Sequence, residues 1–406
     1  MIEPDDAGCA PVRPLDGVVV ADFSRVLAGP LATMTLADLG ATVVKVEHPD
    51  GGDDTRRWGP PWTPNGSSYF GAANRTKRSV TLDLRDAGDL ELAHALVLRA
   101  DVLVENFRVG SLDKYGLDPA ATRAANPRLV HCSITGFGSR GGAHLPGYDF
   151  VVQALGGLMS ITGESDADPQ KVGVALVDVL TGKDAVIGIL AALRHREATG
   201  AGQHVEVSLL QSLIGSLANQ ASAYLATGTA PSRMGNRHPS IAPYETLRCA
   251  DGLLAVACGN DRQFARLCDV LGAPELALDP RFGSNGDRVQ HRPDLVALLE
   301  ERLAGRTAAD WQERLTAVDV PAGEVKDIAH GIELAASLGL DPLVPLDGAP
   351  PQVAHPIHYS AFAAARPTAP PTLGQHDDEI RRWLAGPVTD PLTHPTIDPL
   401  MDLEHR

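Results

Sequence analysis

The chain has few cysteines and no arrangement that uses them. Cys9, Cys132, Cys249, Cys258 and Cys268 are odd in number, and no two form a Cys-x-x-Cys pair. That excludes a disulfide framework and a cysteine zinc site. Long apolar runs are missing as well. The longest nearly uncharged helical stretch, residues 185–193, falls far short of the ~20 residues a membrane-spanning helix needs. Positive charge is scarce: 35 Lys and Arg stand against 51 Asp and Glu, a net charge of −16. Such a chain repels a phosphate backbone, which argues against nucleic acid as a partner; a small phosphorylated ligand needs only a local cluster of cations. The opening residues MIEPDDAGCAPVRP lack a basic segment followed by an apolar one, so no secretory signal and no membrane contact are expected, and the reduced cytoplasm is the expected location.

What is present is an alternation. Residues 17–23 (GVVVADF), 41–47 (ATVVKVE), 101–105 (DVLVE) and 129–134 (LVHCSI) are short, β-branched apolar strands. Residues 30–39, closed by Gly40, and 87–99 have helical spacing. Strands alternating with helices of this length imply right-handed βαβ units and a parallel sheet. A long helix is expected over 181–199, with Gly200 just past its end, then a short segment at 205–209 and a helix-like stretch to about 227. Residues 232–325 contain their own strand (253–257), helices and turns. Residues 343–371 are proline-rich and extended, and 385–406, with four prolines, reads as an irregular arm.

Several common chemistries find no motif. A strand ending in Glu47 invites a dinucleotide site, but the sequence after the first strand, DFSRVLAGPLATM, has one glycine, Gly29, followed by Pro30. The Gly-x-Gly-x-x-Gly phosphate cradle is absent, and Glu47 reads as a solvated strand end. There is no His-Glu-x-x-His, no Walker loop and no Gly-x-Ser-x-Gly elbow. His94, His131, His144 and His195 are scattered and read as surface or internally satisfied residues, so no metal site is expected.

A series of longer motifs carries a resemblance. They are DFSRVLAGP (22–30), LADLGATVVKVEHPDGGD (36–53), NRTKRSVTLDL (74–84), ADVLVENFRVG (100–110) and NPRLVHCSITGFG (126–138). They continue with GYDFVVQALGGLMSITG (147–163), VGVALVDVLTG (172–182), GNRHPSIAPYE (235–245), ACGNDRQF (257–264), VPAGEV (320–325) and LGQH (373–376). In this order and spacing the chain resembles the family III CoA-transferases, the group of formyl-CoA transferase, carnitine CoA-transferase and α-methylacyl-CoA racemase. The resemblance covers roughly residues 15 to 380.

The resemblance implies an α/β fold: a Rossmann-like large domain with a parallel sheet (1–215), a smaller α/β domain (228–328), a C-terminal return to the large domain (335–384) and the arm (385–406). It also implies an interlocked homodimer. The implied reaction moves CoA from an acyl-CoA to a free carboxylic acid through an aspartate that becomes a mixed anhydride and then an aspartyl-CoA thioester. That aspartate falls on Asp178. By residue type, Asp178 follows a strand-like run and precedes the helix at 181, where the helix dipole favours the ionised nucleophile; an Asp there equally suits a helix cap. Gly136, Gly138 and the turn at 257–259 are candidates to hold the oxyanion, or are ordinary turn residues.

By the same resemblance CoA contacts Arg25, Val26, Leu27 and Ala28, then Leu82, Asn106, Phe107, Lys114 and Tyr115, with Gly136 and Phe137 beside them. Asn106 is expected on the pantetheine and Lys114 on a phosphate. Arg75, Lys77 and Arg78 form a basic cluster for the CoA phosphates, or a solvated basic loop. Where racemases carry histidine in a Gly-His-Asp motif, this chain has Tyr148; a phenol of pKa about 10 is a poor base at neutral pH, so Tyr148 contacts substrate or packs. Arg25, Leu27, Pro49 and Thr135 depart from formyl-CoA transferase and point away from formate and oxalate. RMGNRHPSIAPYE and GNDRQF resemble the subgroup acting on succinyl-CoA and other dicarboxylates. Arg233, Arg237 and His238 are the candidates for the distal carboxylate, with Gly259 beside the substrate. Acyl-CoA racemisation, CoA-ester dehydration or lysis, and non-catalytic CoA binding are the alternatives on the same fold. No metal or permanently bound cofactor is implied; CoA enters as substrate.

Overall fold

The computed structural model describes residues 12–388 and Leu392. The chain forms two compact units. The first ends its opening stretch at Val152, resumes over Val174–Ser216 and takes up the chain again at Leu343; the second holds Gln153–Gly173 and Leu217–Pro342. The expected boundaries at 215 and 228 ran the 153–173 segment into the first domain, whereas it groups with the second unit.

In the first unit six strands make one sheet: β1 (Val19–Asp22), β2 (Thr42–Glu47), β3 (Lys77–Thr81), β4 (Val102–Glu105), β5 (Val130–Thr135) and β6 (His204–Ser208). Their order is β3-β2-β1-β4-β5-β6, every pairing parallel. Residues of β2 and β4 are buried on both faces, which explains runs such as TVVKVE and VLVE that show no apolar/polar alternation. The order reverses between β1 and β4, and in open α/β sheets the crevice beyond the carboxyl ends at that point is where ligands bind. This is a Rossmann-like sheet.

The helices follow from local chemistry. α1 (Ala28–Asp38) opens directly off the β1 turn. α2 (Ala87–Arg99) covers the same residues as the sequence reading, because Asp86 caps it by accepting the Gly88 and Asp89 N–H groups. Asp118 does the same for α3 (Pro119–Ala125), which has Pro at its first position. α4 spans Asp149–Leu155. α5 runs Leu176–Thr199, five residues longer at its start than expected. Gly182 lets α5 lie against α1, since a Cβ there would sit 2.8 Å from the Ala28 carbonyl oxygen.

The second unit has an antiparallel sheet of β7 (Tyr244–Arg248), β8 (Leu253–Ala257) and β9 (Ala322–Glu324), with β8 in the middle. α6 (Asp261–Val270), α7 (Arg292–Leu303) and α8 (Ala308–Thr316) close over it. Phe264, Leu299 and Trp311 lie in its core, and the Trp311 indole N–H donates to the Leu303 carbonyl at 2.8 Å.

Back in the first unit, the proline-rich stretch is extended as expected, and its first residues pair as a hairpin, β10 (Leu343–Leu346) and β11 (Ala349–Val353). α9 (Asp377–Ala385) then places Ile380 and Leu384 in one core with Leu96, Val97 and Leu103. Truncating the fully buried Leu96 to alanine costs about 2–5 kcal/mol. The expected C-terminal arm lies outside the described residues beyond Val388, apart from Leu392.

Candidate active site

The loops leaving β1, β4, β5 and β6 converge beyond the sheet reversal and enclose a cavity of about 260 Å³. Residues 25–28 follow β1, 106–109 follow β4, Thr135 ends β5 and 136–138 follow it, and Leu209 follows β6; Tyr148 and Asp178 are also in the wall. The residues expected here by sequence, Arg25, Val26, Leu27, Ala28, Asn106, Phe107, Gly136, Phe137, Tyr148 and Asp178, therefore share one cavity. Gly136 and Gly147 touch backbone to backbone: a Cβ on Gly136 would lie 2.5 Å from the Gly147 Cα. Only glycines allow the loop after β5 to fold back this closely.

Asp178 sits in the first turn of α5, not ahead of it, and it is not the cap. The capping position is Ala175, whose methyl group can accept no hydrogen bond. Asp149, at the start of α4, supplies the acceptor instead: its Oδ1 takes the Val177 N–H at 2.7 Å and the Asp178 N–H at 3.2 Å. A carboxylate thus stands at the positive end of the helix beside Asp178. Burial first, and then the Asp149 charge, push the Asp178 carboxyl up to about 7. The expectation that the helix dipole favours the ionised form of Asp178 is corrected by these two opposing effects. Tyr69 feels the same field; burial, then the charges of Asp178, Asp149 and Asp53, push its phenol up.

A neighbouring cavity of about 410 Å³ shares Arg25 and Phe107 with the first and adds Leu82, Lys114 and Tyr115, together with His48 and Arg85. Its rim carries cations against rings: the Lys114 ammonium lies 4.7 Å from the Tyr115 ring centre and the Arg25 guanidinium 5.6 Å from that of Phe107. Leu82, Lys114 and Tyr115, the other candidates for CoA contact, thus line this second cavity, whereas Arg75, Lys77 and Arg78 line neither.

Arg75, Lys77 and Arg78 do not form a phosphate site. Lys77 Nζ is buried and donates to Asp22 at 2.9 Å and to Asn74 and the Pro30 carbonyl. Arg75 holds Asp38 with two bonds of 3.1 and 2.7 Å, and Arg78 reaches Glu379 at 2.6 Å. Arg75 and Lys77 neutralise buried carboxylates, and withdrawing either to meet a phosphate would strand its partner; Arg78 is itself buried and engaged by the part-exposed Glu379. Burial alone would raise Asp22, but Lys77, Lys45 and two hydroxyls hold it at about 2. Glu47 is likewise no solvated strand end: it is 4% exposed and pairs with Arg56.

Other assignments change with the hydrogen bonds. Asn106 does not present its amide to a ligand first; its Oδ1 accepts the Arg25 N–H at 2.8 Å and its Nδ2 donates to the Arg25 carbonyl at 2.7 Å. The Gly138 N–H is taken by Thr135 Oγ1. In the turn at 257–259, the amides of Ala257, Cys258 and Gly259 donate to Pro321, Pro243 and Gln263, so none of the three is an oxyanion donor here. In the second unit Arg233 donates to the Glu164 and Ala167 carbonyls, Arg237 to the Met234 carbonyl, and His238 lies tilted against Tyr244. Asp149, Arg85 and Arg108 are the site residues that sequence reasoning missed. Only Asp149 had a visible signal, its place beside Tyr148.

Comparison with known proteins decides the family. Residues 15–377 match the profile of CoA-transferase family III. The chain belongs to that family. It is 43% identical over 90% of its length to the succinate–glutarate CoA-transferase of Agrobacterium fabrum, of which it covers 94%. It is 40% identical to the acetyl-CoA:oxalate CoA-transferase of Acetobacter aceti, over 93% of this chain and 97% of that one. A CaiB/BaiF family protein of known structure from Brucella suis superposes with a TM-score of 0.83 at 46% identity, covering 92% of this chain and 99% of its own. This family III enzyme is thus a CoA-transferase. Among the described residues no helix is long and apolar enough to cross a membrane, and no cluster of metal-ligating side chains occurs.

Proposed function

We propose that the enzyme transfers CoA from succinyl-CoA, or a similar acyl-CoA, to a dicarboxylic acid through Asp178. The observation that carries the reading is the position of Asp178: a half-buried carboxylate at a helix N-terminus, in the one cavity that also gathers the turns at 25–28, 106–109 and 135–138. The Asp178 oxygen attacks the thioester carbonyl and expels the CoA thiolate, forming a mixed anhydride. The thiolate attacks the Asp178 carboxyl carbon, releasing the donor acid and leaving an aspartyl-CoA thioester. The acceptor carboxylate then attacks that thioester, and the returning thiolate attacks the acceptor's acyl carbon, which regenerates the Asp178 carboxylate. No proton is gained or lost over the cycle, consistent with a site lacking a histidine base.

The CoA ester lies along both cavities, with its adenosine end toward Leu82, Lys114 and Tyr115 and its phosphates near Arg25, Lys114 and Arg85. Dicarboxylate recognition is supported by the printed names of the relatives, succinate–glutarate and succinyl-CoA:mesaconate transferases among them. The wall around Asp178 carries two guanidinium groups, Arg25 and Arg108. A homodimer and a cytoplasmic location complete the proposal by family likeness. The test is an exchange assay by mass spectrometry. Wild type and Asp178→Ala are each given succinyl-CoA with glutarate, mesaconate, oxalate and acetate. New dicarboxylate CoA esters from wild type alone support the reading; esters formed equally by the variant, or none from wild type, overturn it.

A further inference from the structure

The turn that carries Arg25 is held from three sides. Lys45 Nζ, fully buried at the middle of β2, donates to the Ser24 carbonyl at 2.9 Å and to Asp53 Oδ2 at 3.0 Å. Asn106, after β4, clasps both backbone groups of Arg25. The Asp53 carboxylate accepts the Val26 N–H through both oxygens at 3.3 Å, and is itself fixed by the Thr55 N–H and hydroxyl at 3.0 and 2.7 Å. Val26 stands at φ 71, in the left-handed region that a β-branched residue almost never occupies. Such a conformation persists only where its surroundings impose it.

We infer that the buried Lys45–Asp53 pair is a positioning device for CoA binding: it imposes the left-handed turn at Val26 and so sets Arg25 and the start of α1 against the ligand. Neither Lys45 nor Asp53 lines the cavity that holds Asp178; Asp53 stands in the wall of the neighbouring cavity, and both bond the turn through the backbone of Ser24 and Val26. The inference rests on the reading that CoA occupies that cavity. Its distinctive consequence is that the need for the clamp depends on the residue at 26. Glycine adopts φ near +70° at no steric cost, so Val26→Gly makes the clamp less necessary.

Calorimetric titration with free CoA tests this in four proteins: wild type, Asp53→Asn, Val26→Gly and the double variant. Asp53→Asn keeps the shape but loses the charge that holds Lys45, and raises the Kd for CoA about tenfold or more. Adding Val26→Gly to Asp53→Asn recovers affinity, and the gain exceeds that of Val26→Gly with Asp53 intact. A merely structural pair would lower the unfolding midpoint without this coupling in Kd. Should Asp53→Asn not yield folded protein, Thr55→Val, which removes one anchor of the same carboxylate, replaces it in the cycle. An unchanged Kd in the folded single variant, or a loss that Val26→Gly does not relieve, overturns the inference. The CoA-site reading is separated by Ala143→Trp, which fills the cavity. If wild type and Ala143→Trp bind CoA equally, that reading fails; if Ala143→Trp abolishes binding and the Asp53 cycle shows no coupling, the positioning role alone fails.

Discussion

Asp149 accepts the backbone N–H of Asp178 while its own charge opposes ionisation of the Asp178 side chain. One residue therefore caps the helix that presents the proposed nucleophile and adds its charge to the burial that opposes ionisation there. In a ping-pong exchange the free enzyme must offer a carboxylate, so kcat/KM for the acyl-CoA rises with pH through about 7. Asp149→Asn keeps an acceptor for the two amides and removes the charge. The inflection is expected to move to lower pH in that variant, measured as the pH profile of kcat/KM. An unmoved inflection would mean that burial alone sets it.

The same shift makes a stability statement of opposite sense. The Asp178 carboxyl titrates at about 7 in the folded enzyme against an ordinary 3.8. Between those values the folded state holds a proton the unfolded state has lost, so this group's contribution falls as pH rises and its cost is complete above about 7. Asp178→Asn is expected to raise the unfolding midpoint at pH 8 by a few degrees, with the gain fading toward pH 4. Thermal melts of both proteins across that range check it.

Lys77 and Lys114 separate structure from binding. Lys77→Met leaves Asp22 buried without its main partner and is expected to cost about 3–5 kcal/mol of stability. Lys114 is exposed on the rim of the second cavity; Lys114→Ala is expected to weaken CoA binding several-fold with little change in the melt. Denaturant unfolding and CoA titration of both variants decide the assignment.

Arg108 lines the Asp178 cavity and donates to the His144 carbonyl at 3.1 Å. Arg108→Ala is expected to raise the KM for glutarate about tenfold while changing that for a monocarboxylate little, since only a dicarboxylate keeps a free distal charge. If instead Arg233→Ala or Arg237→Ala raises it and Arg108→Ala does not, Arg108 is not the partner of the distal charge.

β1, β2, β4, β5 and α2 were legible because their signals are local: β-branched runs, and a capping Asp86 next to the helix it starts; β3 was not, since its run KRSVT opens on two cations. The start of α5 was not. LVDVL reads as a strand, and its cap, Asp149, lies 28 residues before Val177 in the chain. The basic cluster failed for the same reason. The partners of Arg75, Lys77 and Arg78 are 37, 55 and 301 residues away, so two buried ion pairs and one part-buried pair look like an exposed patch until the sheet is assembled. Asp178 itself was legible through its motif. Its chemistry was not, since burial and a like charge both come from tertiary structure.

The central claim is that Asp178 becomes covalently linked to CoA. Intact-protein and peptide mass spectrometry on enzyme quenched during turnover with succinyl-CoA tests it directly. The account expects a CoA adduct, formed with loss of water, on the peptide containing Asp178, removed by glutarate and absent from Asp178→Ala. Turnover by wild type with no adduct on that peptide, or an adduct on another residue that glutarate discharges, would contradict it.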